Sequence, residues 1–92
     1  MEKKRVLLKI YGQVQGVGFR YYTQDLARRL KLKGWVKNEI DGTVTVAAEG
    51  KTKKLEELVS WCRNGSGTAA VEKVEVQWKK FEGNLERFEI QF

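Results

Sequence analysis

Residues 5–30, RVLLKIYGQVQGVGFRYYTQDLARRL, contain the clearest signals of secondary structure in the chain. In its first part Val6, Leu8 and Ile10 alternate with mostly polar residues, which is typical of a half-buried strand. After the glycines of residues 12–18, the apolar residues recur with the helical period of about 3.6. One face of this predicted helix collects Phe19, Tyr22 or Thr23, Leu26, Ala27 and Leu30. A strand therefore leads through a glycine-rich loop into an amphipathic helix.

The rest of the chain repeats this change from strand to helix. The pair Asp41-Gly42 is typical of a two-residue hairpin turn. The apolar face of the second predicted helix holds Leu55, Leu58, Val59 and Cys62. We predict strands over residues 5–11, 35–40, 43–49 and 71–81, a short last strand through Phe88, Ile90 and Phe92, and helices over residues 21–31 and 52–63. This order, βαββαβ with a short extra C-terminal strand, predicts an α+β, ferredoxin-like split βαβ fold. Its antiparallel sheet carries two helices on one face.

Length and composition limit the class of protein. The 92 residues are expected to form a single domain, residues 1–92. With 41% hydrophobic and 33% charged residues, the chain is too apolar for a disordered tail. No run approaches the roughly 20 apolar residues of a transmembrane helix. No secretory hydrophobic region follows Met1, so a cytoplasmic protein without a membrane partner is expected.

The missing residue types limit the chemistry. The chain has no His and one Cys, which excludes Ser-His-Asp and Cys-His hydrolysis, His-ligated metal sites and internal disulfides. Cys62 is expected to be buried and unreactive, because it lies on the apolar face of the second helix. An enzyme with this sequence must therefore work with Arg, Lys, carboxylates, amides and backbone groups.

The net charge of +6 and the pI near 9.6 favour an anionic partner. A phosphorylated small molecule, a nucleic acid and an acidic membrane face all fit this charge equally well. The lysines at the start of the second helix, Lys51, Lys53 and Lys54, are expected to form a solvated face that Glu56 and Glu57 dilute.

The loop from Gly12 to Arg20 is the segment that suggests a site. Gly16 and Gly18 allow a tight turn that points successive backbone N–H groups into one concavity. The helix that follows adds unpaired N–H groups and the positive end of its dipole, and Arg20 adds a planar cation that matches phosphate oxygens. The spacing fits neither a P-loop nor a dinucleotide-binding loop. Taken alone, it fits a phosphate cradle and a plain glycine-rich turn with a surface Arg equally well.

Two motifs carry a resemblance to a known family. The sequence VQGVGFR at residues 14–20 resembles the first signature of the acylphosphatase family, and GWVKNEIDGTV at residues 34–44 resembles the second. The similarity continues through Glu49-Gly50 and the second helix to Ala70-Val71, in order along the chain. One departure is that the family usually has Gly-Pro after the second helix, where this chain has Gly65-Ser66-Gly67. That loop is therefore expected to be less rigid.

The resemblance implies hydrolysis of the carboxyl–phosphate bond of a small-molecule acyl phosphate to a carboxylate and inorganic phosphate, with no cofactor and no metal. It implies that Arg20 binds the phosphate and that Asn38 positions the attacking water. The rest of the phosphate cradle is implied to be the backbone amides of Gln15, Gly16, Val17, Gly18, Phe19 and Arg20. A phosphoryl oxygen of the substrate would accept the proton of the water. Asp41, which lies inside the second motif, is expected to serve the hairpin turn.

Two other functions stay open at this point. A non-catalytic acylphosphatase-like module would bind carboxylates or phosphates within a maturation assembly, although a chain ending at Phe92 favours a free-standing enzyme. RNA-recognition domains share the order of strands and helices, but the strand over residues 43–49 has none of the aromatic residues that stack bases. We therefore expect a monomeric enzyme with no nucleic-acid partner.

Overall fold

The chain forms five strands and two helices, in the order βαββαββ. The computed structural model describes residues 2–65 and 67–92, so Ser66 of the predicted Gly65-Ser66-Gly67 loop lies outside the described residues. The elements are β1 (Lys3–Gln13), α1 (Phe19–Arg29), β2 (Lys33–Asn38), β3 (Val44–Lys51), α2 (Thr52–Asn64), β4 (Ala70–Lys79) and β5 (Phe88–Gln91). The predicted order of elements and the ferredoxin-like α+β fold are confirmed.

The strands form one sheet in the order β4-β1-β3-β2-β5. The pairs β1–β3, β1–β4 and β2–β3 are antiparallel, whereas β5 lies parallel to β2. The sheet is therefore mixed rather than entirely antiparallel. The reason is that β4 ends at the same end of the sheet where β2 begins. Residues 80–87 cross the sheet at that end, so the chain enters β5 running in the direction of β2.

The core lies between the helices and one face of the sheet. Val6, Leu8 and Ile10 of β1 are completely buried, as the alternation predicted. The two helices contact each other and contribute to one core cluster, with Phe19 and Ala27 from α1 and Leu55, Leu58, Val59 and Cys62 from α2. Thr23 of α1 is buried as well. Both helices therefore cover the same face of the sheet.

Thr23, and not Tyr22, faces the core from α1. The Thr23 hydroxyl donates a hydrogen bond of 2.8 Å to the carbonyl oxygen of Phe19, which satisfies the buried polar group within the helix. The Tyr22 side chain is about half exposed. Tyr22 therefore lies at the surface, near the start of α1.

The hairpin between β2 and β3 differs from the prediction. β2 ends at Asn38 instead of Ile40, and the Ile40 side chain is fully exposed. The Glu39 N–H donates to the Thr43 carbonyl over 2.8 Å, and the Gly42 N–H donates to the Glu39 carbonyl over 3.2 Å. This is a three-residue loop, with Gly42 at φ +91°, rather than the predicted two-residue turn.

The buried carboxylate of Glu49 fixes the chain where it crosses from β4 to β5. It is 2% exposed and lies 3.2 Å from the Arg5 guanidinium. It also accepts hydrogen bonds from the backbone N–H groups of Glu82 (2.9 Å) and Gly83 (3.1 Å). A buried charge is tolerated when it is paired and hydrogen-bonded in this way. The crossing segment is therefore bonded to the end of the sheet.

Candidate active site

The carboxyl ends of three strands lie at the same end of the sheet, which we call the site edge. β1 and β2 are both antiparallel to β3, so they run in the same direction, and β5 is parallel to β2. The loop after β1, Asn38 at the end of β2 and Phe92 after β5 consequently share this edge. The topology therefore brings the two predicted catalytic residues, Arg20 and Asn38, to the same end of the molecule.

The loop after β1 presents backbone N–H groups at the start of α1. Gly16 (φ +74°) and Gly18 (φ +79°) take left-handed conformations, and Gly18 is the N-cap residue. The first hydrogen bond of the helix runs from the Tyr22 N–H to the Gly18 carbonyl, 3.1 Å. Among the hydrogen bonds of the described residues, none uses the backbone N–H groups of residues 15–21. This concave row of donors suits an anion.

In the described structure, neither the cap nor the first turn of α1 provides a negative charge. Gly18 provides no side-chain cap, and the first turn contains no acidic residue. It contains Arg20 instead, although a cation at the positive end of a helix dipole is unfavourable by about 0.3–1 kcal/mol. An anion bound between the N–H groups and the guanidinium would remove this repulsion.

The Arg20 guanidinium is held by an aromatic ring rather than by a carboxylate. Its Cζ lies 4.9 Å from the ring centroid of Phe92, which is 89% exposed. Within residues 2–65 and 67–92, no carboxylate oxygen lies within 4.0 Å of its nitrogens. The guanidinium donors are therefore available to a phosphate.

The Gln15 side chain joins the loop to the hairpin. Its amide nitrogen donates to the carbonyl oxygens of Glu39 (2.8 Å) and Thr43 (2.9 Å), at the neck of the hairpin that begins after Asn38. On either side of the loop, the buried side chains of Val14 and Phe19 anchor it in the core. The two halves of the candidate site are thus held against each other.

Asn38 carries a buried polar atom that has no hydrogen-bond partner among the described residues. Its side-chain oxygen Oδ1 is buried, and no donor of the described residues bonds to it. Buried acceptors are normally satisfied, so an exception needs an explanation. A bound water molecule could supply the missing donor.

The structure also places the other residues that the sequence analysis considered. Asp41 accepts hydrogen bonds from the Thr43 hydroxyl (2.6 Å) and the Thr43 N–H (3.0 Å), as expected of a turn residue. These bonds, together with Lys9 at 3.3 Å, lower the pKa of Asp41 from 3.8 to about 2. Burial raises the pKa of the Cys62 thiol to about 12, so Cys62 is not a thiolate nucleophile at neutral pH.

Two features of the site edge were not predicted. Gln15 was expected to contribute its backbone amide, and the bridging role of its side chain had no local signal. Phe88, Ile90 and Phe92 occupy every second position, so the sequence predicts that their side chains point to the same face of the sheet. The missing information was that β5 runs parallel to β2, which carries Phe92 to Arg20.

The described part of the chain offers neither a metal-binding cluster nor a membrane-spanning helix. No group of three or more His, Cys, Asp or Glu side chains there is placed to hold a metal ion. None of the helices described is long and apolar enough to cross a membrane.

Comparison with known proteins gives a consistent match. The acylphosphatase family model matches residues 6–90. A curated acylphosphatase of Syntrophobacter fumaroxidans is 46% identical over 92 residues, which is 100% of this chain and 95% of the relative. One of Thermococcus kodakarensis is 46% identical over 90 residues, 98% of each. The crystal structure of acylphosphatase from Bacillus subtilis superposes with a TM-score of 0.93 at 38% identity, covering 97% of this chain and 99% of that one.

Proposed function

The chain belongs to the acylphosphatase family, and on that premise we propose how it hydrolyses the carboxyl–phosphate bond of acyl phosphates. Arg20 and the backbone amides of residues 15–20 hold the phosphate, and Asn38 orients the attacking water. The observation that carries this proposal is the pair of hydrogen bonds from Gln15, which hold the row of amides beside the strand that ends at Asn38.

The loop amides and Arg20 would stabilise the negative charge on the phosphoryl oxygens. Phosphoryl transfer is mainly a matter of positioning and of stabilising charge on the equatorial oxygens. Backbone N–H groups that have no acceptor among the described residues need no rearrangement before they bind these oxygens. The Arg20 fork can donate to two oxygens at once, which a lysine ammonium cannot reproduce with the same geometry.

Asn38 would position the water without activating it chemically. A carboxamide donates and accepts hydrogen bonds but does not take a proton at neutral pH. The water oxygen forms a bond to phosphorus while the bond between phosphorus and the carboxylate oxygen breaks. The carboxylate leaves with the electron pair, and the proton of the water passes to a phosphoryl oxygen of the substrate. The leaving group is already a stable anion, so no acid is required.

The direct test measures phosphate release from benzoyl phosphate by the full chain and its variants. We expect Arg20→Ala and Asn38→Ala to lower kcat/KM by about 100-fold or more, which is the size of effect seen when a transition-state donor or a positioning group is removed. Arg20→Lys should also lose most activity.

The matched controls are the same types of substitution, Arg to Ala and Asn to Ala, at positions away from the candidate site. Arg29→Ala removes an exposed cation of α1 that pairs with Asp25 at 2.7 Å, and Asn84→Ala removes an exposed amide of the crossing segment. Both should retain near-normal kcat/KM. Normal activity of Arg20→Ala would contradict the assignment of the cradle. No activity of the unmodified chain at saturating substrate would favour the non-catalytic binding module.

The assigned groups also predict the response to pH and chelators. Neither a guanidinium nor a carboxamide titrates near neutrality, so the protein should contribute a flat rate profile between about pH 6 and 8. Activity should persist in EDTA, and loss in EDTA with recovery on adding magnesium would contradict a metal-free mechanism. That the enzyme acts as a monomer, in the cytoplasm and without nucleic acid stays a prediction.

A further inference from the structure

A second concave site lies at the end of the sheet opposite the candidate active site. It is a cavity of about 210 Å³ between the end of α1, the start of α2 and the segment that crosses to β5. The hydrogen bonds of Glu49 to Glu82 and Gly83 hold that segment in place. Lys3, Lys33 and Glu49, at the adjacent ends of β1, β2 and β3, also line it. Neither Arg20 nor Asn38 is among the lining residues.

Five lysines surround this cavity: Lys3, Lys31, Lys33, Lys51 and Lys54. The carboxylate among the lining residues is Glu49, whose charge already faces Arg5 at 3.2 Å. Lys54 lies 3.8 Å from the exposed Glu57. In the described part of the chain, the other four lysines have no carboxylate within 4.0 Å. The first turn of α2 adds no acidic residue. The positive charge at the cavity is thus largely uncompensated.

The backbone at Lys31 is a second, independent observation. Lys31 follows α1 and has φ +60°, the one positive φ at a residue other than glycine among residues 2–65 and 67–92. The Lys31 N–H bonds to the Arg28 carbonyl (3.0 Å) and the Leu32 N–H to the Ala27 carbonyl (2.8 Å). In this helix-ending motif the left-handed position is usually glycine. A lysine there is strained, and its side chain lines the cavity.

The interior of the cavity is apolar. Leu30, Phe81 and Leu85 line it, and the Lys3 ammonium lies 5.6 Å from the centroid of the Phe81 ring. Ligand sites typically combine an apolar interior with a few convergent polar groups. At about 210 Å³ the cavity is smaller than the roughly 300–1,000 Å³ of sites for drug-sized ligands. It can therefore enclose about one ring, while charged groups remain at the lysine rim.

We propose that this lysine-lined cavity binds a small aromatic dianion of the aryl phosphate class, separately from the substrate site. The ring lies against Leu30, Phe81 and Leu85, and the doubly charged group contacts the lysines. The proposal does not depend on the mechanism proposed for the other end of the molecule. A flat basic surface would suit a long polyanion, whereas a concave apolar interior favours a compact ligand.

Phenyl phosphate, titrated into the ¹⁵N-labelled full chain, tests the proposal with two sets of reporters. The amide signals of Gly50 and Gly83 report the cavity, and those of Gly16 and Gly18 report the candidate active site. We expect saturable shifts at Gly50 and Gly83 that persist in Arg20→Ala and weaken with added salt. Inorganic phosphate, which has no ring, should shift Gly50 and Gly83 much less than phenyl phosphate does.

Paired lysine variants separate the cavity from general surface charge. Lys31→Gln combined with Lys33→Gln should weaken phenyl phosphate binding at Gly50 and Gly83 roughly tenfold, with unchanged hydrolysis of benzoyl phosphate. Lys53→Gln combined with Lys80→Gln removes the same charge outside the cavity lining and should leave binding unchanged. Lys31→Gly should raise the unfolding midpoint and weaken binding.

Three outcomes would overturn the proposal. The first is the absence of saturable shifts at Gly50 and Gly83, and the second is equal weakening by both lysine pairs. The third is a response of these two glycines to single-stranded RNA but not to phenyl phosphate, which would make this end of the molecule a polyanion surface instead.

Discussion

The side-chain amide nitrogen of Gln15 lies 2.8 Å from the carbonyl oxygen of Glu39, the residue that follows Asn38. A second hydrogen bond of 2.9 Å reaches the Thr43 carbonyl. One side chain therefore holds the proposed phosphate-binding loop against the strand that carries the proposed water-positioning residue. The distance between the two halves of the site depends on this contact.

Replacing Gln15 with methionine should damage activity and stability together. Two partly buried carbonyls would each lose one of their two donors. At about 0.5–1.5 kcal/mol for each hydrogen bond, this should lower the free energy of unfolding by about 1–3 kcal/mol. Loss of the link should lower kcat by about 10- to 100-fold, because small displacements of reacting groups have effects of that size. Urea unfolding and benzoyl phosphate kinetics measure both. Gln13→Met, an exposed position, is the matched control, and equal effects of the two variants would contradict this role.

A comparison of two glycine variants separates the effect of backbone strain on stability from the effect of the loop on activity. Gly16 (φ +74°) and Gly42 (φ +91°) both have positive φ, and a Cβ atom added at either position would meet no atom within 4 Å. Alanine at each should therefore destabilise the fold by a similar amount, about 1 kcal/mol. Gly16→Ala alone should also lower kcat/KM, because it changes the amide row. Thermal unfolding and steady-state kinetics of both variants check this, and an equal loss of activity in Gly42→Ala would argue against it.

The contact between Arg20 and Phe92 should affect activity modestly. An exposed cation–π contact stabilises by about 0.5–1 kcal/mol, so Phe92→Ala should lower kcat/KM by about two- to fivefold. Phe92→Trp, which keeps an aromatic face, should restore it. Steady-state kinetics of the two variants measure this difference. A Phe92→Trp variant as impaired as Phe92→Ala would show that the ring face is not what positions Arg20.

Asp41 should make stability depend on acid pH. Its pKa is about 2 in the folded protein against an ordinary value of 3.8, because the Thr43 hydroxyl and N–H and Lys9 stabilise the carboxylate. A lowered pKa stabilises the folded state above about pH 4, and this contribution is lost as the pH falls from about 4 to about 2.

Asp41→Asn tests this, since an amide oxygen can still accept from Thr43 but does not titrate. Urea midpoints between pH 5 and 2 should show an advantage of the unmodified chain at pH 5 that shrinks toward pH 2. Glu86→Gln, which replaces another exposed carboxylate with an amide, should show no such change. A stability difference between the unmodified chain and the Asp41→Asn variant that stays constant with pH would contradict the assignment.

Local sequence patterns predicted most of the fold, but not which residue at the border of the α1 face is buried or how the β2–β3 hairpin turns. The alternation of Val6, Leu8 and Ile10 and the helical spacing of Leu55, Leu58 and Cys62 correspond to completely buried side chains. The choice between Tyr22 and Thr23 needed the structure, because both lie near the boundary of the same helical face. The hairpin was misjudged because Asp41-Gly42 suits both a two-residue turn and the last part of a three-residue loop.

Local sequence patterns were sufficient to predict the helices and strands and the chemical groups of the candidate site. Periodicity and glycine positions are local properties, so they were readable without tertiary contacts, as were Arg20 and Asn38 within the two motifs. Tertiary structure alone decided which groups meet: Gln15 with Glu39, Arg20 with Phe92, and five lysines from separate segments around one cavity. These contacts follow from the order and direction of the strands. Pairing of strands far apart in the chain leaves no local pattern that could reveal them.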